Sequence, residues 1–202
     1  MTIQKIPHTQ WNPLSVTEVT RLFANAPFAW GLAGGYAIER FVGQPIRSHG
    51  DIDVVVFRDN QILLQTWLQE WSIYAADPPG ELREWEGGEY LPPGINDVWG
   101  HRKNLQYWQI QFMFMEVTGD TWYSKRSNLV RGLRNDHIVR YGGVPCVRVE
   151  VLLLFKSKNR RPKDNADLQA CLPKITPSSK QWLSMNLQRL YPDGHSWENL
   201  LR

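Results

Sequence analysis

Two aspartates one residue apart, Asp51 and Asp53, open the run Asp-Ile-Asp-Val-Val-Val-Phe at 51–57. The run is rich in β-branched residues and reads as a strand. Strand side chains alternate faces, so both carboxylates point the same way, roughly 6–7 Å apart along the chain. Two such charges on an otherwise apolar strand repel each other and are costly to bury unpaired. A divalent cation removes that cost. Mg²⁺ suits the pair, because it takes one or two carboxylates and fills its other positions with water and substrate phosphates. Upstream, Ala33-Gly34-Gly35 reads as a tight turn ahead of a helix. Such a turn offers free N–H groups and the positive end of a helix to a phosphate. Each feature is common alone; the order of strand, glycine pair, helix, loop and Asp-x-Asp strand is far more specific.

The elements that must position these residues follow from spacing. Residues 29–32 read as a short buried strand. Tyr36, Ile38, Phe41 and Val42 then have helical spacing, with Gly43 as the stop. Ser15 with Glu18 forms a capping box ahead of Val19, Leu22 and Phe23, a helix running to about residue 26. After the acidic strand, Ile62, Leu63, Trp67, Leu68 and Trp71 predict a helix over 60–71, and 72–76 the next strand. Residues 77–103 carry Pro78, Pro79, Pro92 and Pro93 and read as irregular. The same stretch combines Glu81, Glu84, Glu86, Glu89 and Asp97 with Trp85, Tyr90 and Trp99, a set suited to a cationic, sugar-bearing acceptor.

Further on, 106–117 and 121–124 read as strands around a turn, followed by a basic patch of Lys125, Arg126, Arg131 and Arg134. A second hairpin is expected at 137–140 and 144–147 around Gly142-Gly143. A helix over 149–157 leads to another with Pro162 in its first turn and Asp164 near its positive end, and 178–190 and 197–201 are helical. The fold class is α/β in composition, an α+β arrangement with flanking helices around a mixed β-sheet. The expected division is a core at 1–148 and a helical C-terminal lobe at 149–202, packed as one unit.

Composition narrows the partners. The chain has 202 residues, enough for a substantial core, and its charge is only +3, which argues against a dedicated nucleic-acid binder. Cys146 and Cys171 have no metal-ligand spacing and read as reduced thiols of a cytoplasmic protein. No basic segment followed by an apolar run opens the sequence, and no apolar run is long enough to span a membrane.

The glycine pair, the Asp-x-Asp strand and Arg47-Ser48-His49 just before it resemble the nucleotidyltransferase superfamily that includes DNA polymerase β. Within it the pattern is most similar to the small bacterial aminoglycoside 2''-adenylyltransferases and lincosamide nucleotidyltransferases. The resemblance implies a mixed-sheet nucleotidyltransferase core with Gly34 and Gly35 at the triphosphate and Asp51 and Asp53 as metal ligands. It adds Arg47 and His49 as basic residues beside them. The stretch around 156–167 resembles the K-x-K-x-x-R-P-K-D-x-x-D element of these enzymes, which implies Lys156 or Lys158 at the nucleotide phosphates. The implied reaction transfers AMP from ATP, with two Mg²⁺ ions, to a hydroxyl of a small-molecule acceptor. A toxin-like enzyme modifying tRNA or a protein, and a nucleotide-binding protein without turnover, are the alternatives. The family has a third acid on a strand beside the Asp-x-Asp strand; the matching position here is Gln111, and Glu116 is the acid expected to take the role, the alternatives being a neutral Gln111 site or another acid such as Glu89.

Overall fold

The computed structural model describes residues 6–201. In chain order its elements are α1 (Val16–Leu22), β1 (Trp30–Leu32), α2 (Gly34–Val42), β2 (Asp53–Phe57), α3 (Gln61–Trp67), β3 (Trp71–Ala75), β4 (Arg83–Glu84), β5 (Asp97–Arg102) and β6 (Ile110–Thr118). They continue with β7 (Thr121–Ser124), β8 (Ser127–Leu133), β9 (Ile138–Tyr141), β10 (Val144–Val147), α4 (Val149–Lys156), α5 (Pro162–Cys171) and α6 (Pro177–Leu190). The chain divides into two compact units. One holds the residues up to Trp30 together with His49–Glu116; the other holds Gly31–Ser48 and everything from Val117 onward.

In the first unit β2 runs parallel to β6, and β5, β3 and β4 extend the sheet antiparallel in that order. Val54, Val56 and Phe112 are fully or almost fully buried, and Phe23 packs edge-on against Phe112 at 6.0 Å. The capping box on α1 forms as expected, with Ser15 N–H donating to Glu18 at 2.8 Å and Glu18 N–H to Ser15 Oγ at 3.2 Å. The predicted 60–71 helix is shorter, only Gln61–Trp67, and while Leu68 and Trp71 are buried as expected, part of the expected face is not. Ile62 and Leu63 are exposed while Gln61 and Gln65 are buried. The reason is hydrogen bonding. Gln61 exchanges bonds with both the N–H and the C=O of Leu91, and Gln65 holds Glu86, Gly88 and Glu89. The two amides thus tie down a proline- and glycine-rich segment that has no ladder of its own. The irregular stretch also contains β5, which pairs with both β3 and β6.

In the second unit β1 pairs parallel with β10, and β10 pairs antiparallel with β9. The β9–β10 hairpin closes on Gly142 and Gly143, at φ 56° and 80°. Two successive left-handed residues match the twist of a two-residue hairpin, and glycine adopts them without strain. β7 and β8 form a further hairpin. Arg126, a member of the basic patch read from sequence, donates to the C=O of Leu154 at 3.0 Å and to that of Phe155. A cation on the last carbonyls of α4 stabilises that end of the helix. Six residues in α4 are buried from Val149 to Leu154, and α2, α5 and α6 pack around it.

His137 sits fully buried against the Trp122 ring, 4.6 Å between centroids. Burial, assisted by the nearby Arg148 charge, drives its pKa down to about 3. The unfolded chain therefore binds a proton there between about pH 6.5 and 3 that the folded chain refuses. Stability contributed by the neutral ring is complete above pH 6.5 and is lost as pH falls toward 3, at up to about 1.4 kcal/mol per pH unit. Denaturant titrations from pH 7 to 4 should show His137→Phe with a flatter acid loss than the wild type; equal slopes would exclude His137 as the group responsible.

Candidate active site

β2 begins at Asp53, two residues later than the sequence suggests, but the parallel ladder reaches back, with Gln111 N–H donating to Ile52 C=O at 2.9 Å. Asp51 is exposed and Asp53 half-buried, while Ile52 between them is fully buried. Alternation puts Ile52 in the core and the two acids on the opposite side. Asp53 lies in register with Gln111, Gln111 with Trp99, Trp99 with Tyr74, and Tyr74 with Glu84. One row of side chains thus crosses five strands on the acid-bearing face, about 19 Å at the usual strand spacing. Gln111 donates from its amide nitrogen to Asp97 Oδ1 at 3.2 Å. His49, half-buried, lies two residues before Asp51. Among the described residues no group of three or more His, Cys, Asp or Glu is arranged to hold a metal ion. The oxygen donors present, two carboxylates and an amide, are of the hard type that Mg²⁺ prefers.

The second unit carries the glycine pair and most of the basic residues. Gly34 and Gly35 are the first residues of α2 rather than a separate turn, and Gly34 takes φ 60°, a conformation that favours glycine. The N-cap is Ala33, whose methyl side chain cannot accept a hydrogen bond from the first-turn amides. Glu39 on α2 accepts from the backbone N–H of Ile46 at 2.8 Å and of Arg47 at 3.2 Å, which fixes the loop. Arg47 then grips Asp167 with Nε and Nη2, both at 3.2 Å. Lys156 Nζ lies 2.8 Å from the same carboxylate and 3.9 Å from Asp164. Asp164 and Asp167 are almost completely buried. Burial pushes Asp164 up, but the Arg161 hydrogen bonds and charge outweigh it, with help from Lys156, and hold the carboxyl below its ordinary range. Arg47 and Lys156, far apart in sequence, therefore meet on one buried acid.

A family model described as aminoglycoside-2''-adenylyltransferase matches residues 15–78, the stretch from the α1 cap past β3. The lincosamide antibiotic adenylyltransferase LnuA, solved with lincomycin bound, superposes with a TM-score of 0.54 at 18% identity, covering 82% of this chain and 100% of that one. ANT(2'')-Ia in complex with adenylyl-2''-tobramycin superposes with a TM-score of 0.54 at 12% identity, covering 86% and 97%. The fold is shared with these two solved adenylyltransferases. No curated protein sequence matches the chain. The nucleotidyltransferase resemblance read from the glycine pair and the Asp-x-Asp strand thus extends through an α+β fold over most of the chain.

Within that fold Glu116 lies away from the acid pair. Asp53 is level with Gln111, and Glu116 is five residues further along β6, about 16 Å at strand rise. Its carboxylate is engaged by Arg58, whose Nε lies 2.7 and 2.8 Å from the two oxygens. Arg58 is itself buried and also donates to the carbonyls of Leu91, Pro92 and Ile95. The expected third acid is thus part of a structural ion pair, because a buried guanidinium there needs a counter-charge. Sequence reading placed Asp97 among the acids for an acceptor and missed its bond to Gln111, as it missed the link from Asp167 to Arg47. The sequence does hold a trace of the first: Asp97 opens an alternating stretch, 97–102, that pairs as β5. Removing the charge from Asp167 leaves two cations facing a buried neutral group. Asp167→Asn should lower stability by on the order of 3 kcal/mol, read by chemical denaturation; a loss below 1 kcal/mol would mean that the cluster carries little of the fold.

Proposed function

We propose that the chain is a metal-dependent nucleotidyltransferase that moves a nucleoside monophosphate, AMP from ATP, to a hydroxyl of a small molecule and releases pyrophosphate. The observation that carries this reading is the acid pair at the head of β2, with Asp53 half-buried and in register with a polar partner on the neighbouring strand. Asp51 and Asp53 are the metal ligands, for two Mg²⁺ ions in the full reaction. Bound there, Mg²⁺ would acidify the acceptor hydroxyl and neutralise triphosphate charge. The first-turn amides of α2 at Gly34 and Gly35 bind phosphate oxygens. Arg47 and Lys156 add positive charge that Asp167 holds in fixed positions, and His49 stands beside the acids in sequence. Catalysis rests on this positioning and charge balance rather than on a covalent intermediate.

The acceptor meets the row that leads away from Asp53. Trp99, edge-on to Trp11 and Trp108, and Tyr74, stacked on His101, form an aromatic cluster beside the exposed carboxylate of Glu84, which favours a small molecule with a cationic, sugar-like body. Asp77 and Glu89 of the 77–103 stretch are occupied, since Arg83 holds both, at 2.8 Å and 2.6 Å, and Trp85 is a core anchor against Phe114. A second reading, nucleotide binding without turnover, draws on the neutral Gln111 beside Asp53, which cannot accept a proton at neutral pH. Labelled ATP with a panel of hydroxylated amines separates the two readings: a labelled small product supports transfer, and binding alone supports the second.

Asp51→Asn and Asp53→Asn should each abolish Mg²⁺-dependent transfer, while the metal-free variants are at least as stable as wild type because like-charge repulsion is relieved. Full activity in both, or unfolding of both, would make the pair structural. Gly34→Ala introduces left-handed strain of roughly 1–2 kcal/mol where phosphate must approach, and ATP binding should weaken about tenfold or more. Gly43→Ala, at φ 82° on the other end of α2, should lower stability and leave ATP affinity alone. Equal ATP affinity in both variants would remove the glycine turn from the nucleotide site.

A further inference from the structure

We infer that Asp97 is a positioning residue that aims the Gln111 amide oxygen at the side of Asp53, so that a neutral oxygen stands where a third acidic ligand would otherwise be. This rests on the metal-binding role proposed for Asp51 and Asp53. The argument begins with donor chemistry. A carboxylate only accepts hydrogen bonds, and an amide has one accepting end and one donating end. Gln111 and Asp97 are 3.2 Å apart through the amide nitrogen and Oδ1. With an ionised Asp97, that contact requires the NH₂ end to face Asp97, whichever way an amide would be drawn in isolation. The carbonyl oxygen therefore turns away from β5.

Strand register decides what lies on the other side. β6 sits between β5 and β2, and Gln111 pairs with Trp99 on the one and with Asp53 on the other. Asp97 pairs with Met113, two residues along β6 and on the same face as Gln111. Gln111 is thus flanked by Asp97 on the β5 side and Asp53 on the β2 side, and all three are half-buried on one face. A glutamine between two carboxylates separates like charges that would otherwise repel, and its free end offers an uncharged oxygen of the kind hard cations accept. Without the Asp97 anchor the amide could rotate and present its NH₂ to the cation side, where it would repel rather than ligate.

The test is a cycle of Mn²⁺ affinities measured without nucleotide by titration calorimetry or by the free-ion electron resonance signal, with melting temperatures recorded for every variant. Asp97→Ala and the near-isosteric Gln111→Met should each weaken Mn²⁺ binding several-fold. Because Asp97 acts through Gln111, Asp97→Ala should cause no further loss once Gln111→Met is in place. The exchanged pair, Gln111→Asp with Asp97→Asn, should bind Mn²⁺ at least as tightly as wild type, and Gln111→Asp alone should melt at a lower temperature because two carboxylates face each other. Additive losses in the cycle would overturn the inference and leave Asp97 as a plain electrostatic contributor. Mn²⁺ binding that Asp53→Asn abolishes but Gln111→Met leaves unchanged would overturn it while sparing the metal role of the acid pair. Absence of Mn²⁺ binding to the wild type would remove both. Should Gln111→Met fail to fold, the side-chain NH₂ resonances of Gln111 in the wild type carry the decision: Mg²⁺ should shift them, and silence on saturation with Mg²⁺ would overturn the inference.

Discussion

The parallel pairing of β2 with β6 is the constraint on which the first unit depends. Register in a sheet has a period of two, so a slip by one residue would send Asp53 into the core and bring Val54 out. The observed register does the opposite. Val54 and Val56 are fully buried, and Asp53 joins Gln111, Trp99, Tyr74 and Glu84 on one face. The hydrophobic contacts of the strand thereby determine where its charged residue stands. Only the first residue of β2 is spared burial, which is what a ligand for a hydrated cation requires.

Buried charge organises the second unit in a different manner. Asp164 and Asp167 are removed from water by α5 packing, and an isolated carboxylate there would be very costly. Arg161, Lys156 and Arg47 supply the compensation, three cations to two acids. The surplus positive charge is held in a defined geometry, while the side chains remain partly exposed. Arg58 and Glu116 in the first unit obey the same rule with a different outcome, since that guanidinium spends its remaining hydrogen bonds on loop carbonyls and is left with a structural task.

Local signals with a direct physical cause were legible from the residues alone. The Ser15–Glu18 box, the Gly43 stop in its left-handed conformation, the Gly142-Gly143 hairpin and Pro162 at the head of α5 all appear as read. Each depends on neighbours within a few positions, so no distant contact can override it. The helix at 61–67 was less legible. Its apolar spacing pointed to Ile62 and Leu63, yet the loop at 86–91 needed hydrogen-bond partners, and Gln61 and Gln65 were drawn inward to supply them. The 77–103 stretch read as irregular by composition, and β5 within it exists because two partner strands bracket it.

The amino-acid sequence by itself determined the paired acids, the glycines ahead of a helix, and with them the nucleotidyltransferase resemblance that the fold bears out. Residue type and short spacing were enough, because alternation along a strand and the conformational freedom of glycine are local properties. Tertiary structure alone decided which polar groups meet. Gln111 faces Asp97 because β5 lies beside β6, Arg47 reaches Asp167 across 120 positions of chain, and Glu116 is claimed by Arg58. Those pairings arise from the need of each half-buried or buried charge for a partner, and the partner comes from whichever element the packing brings alongside.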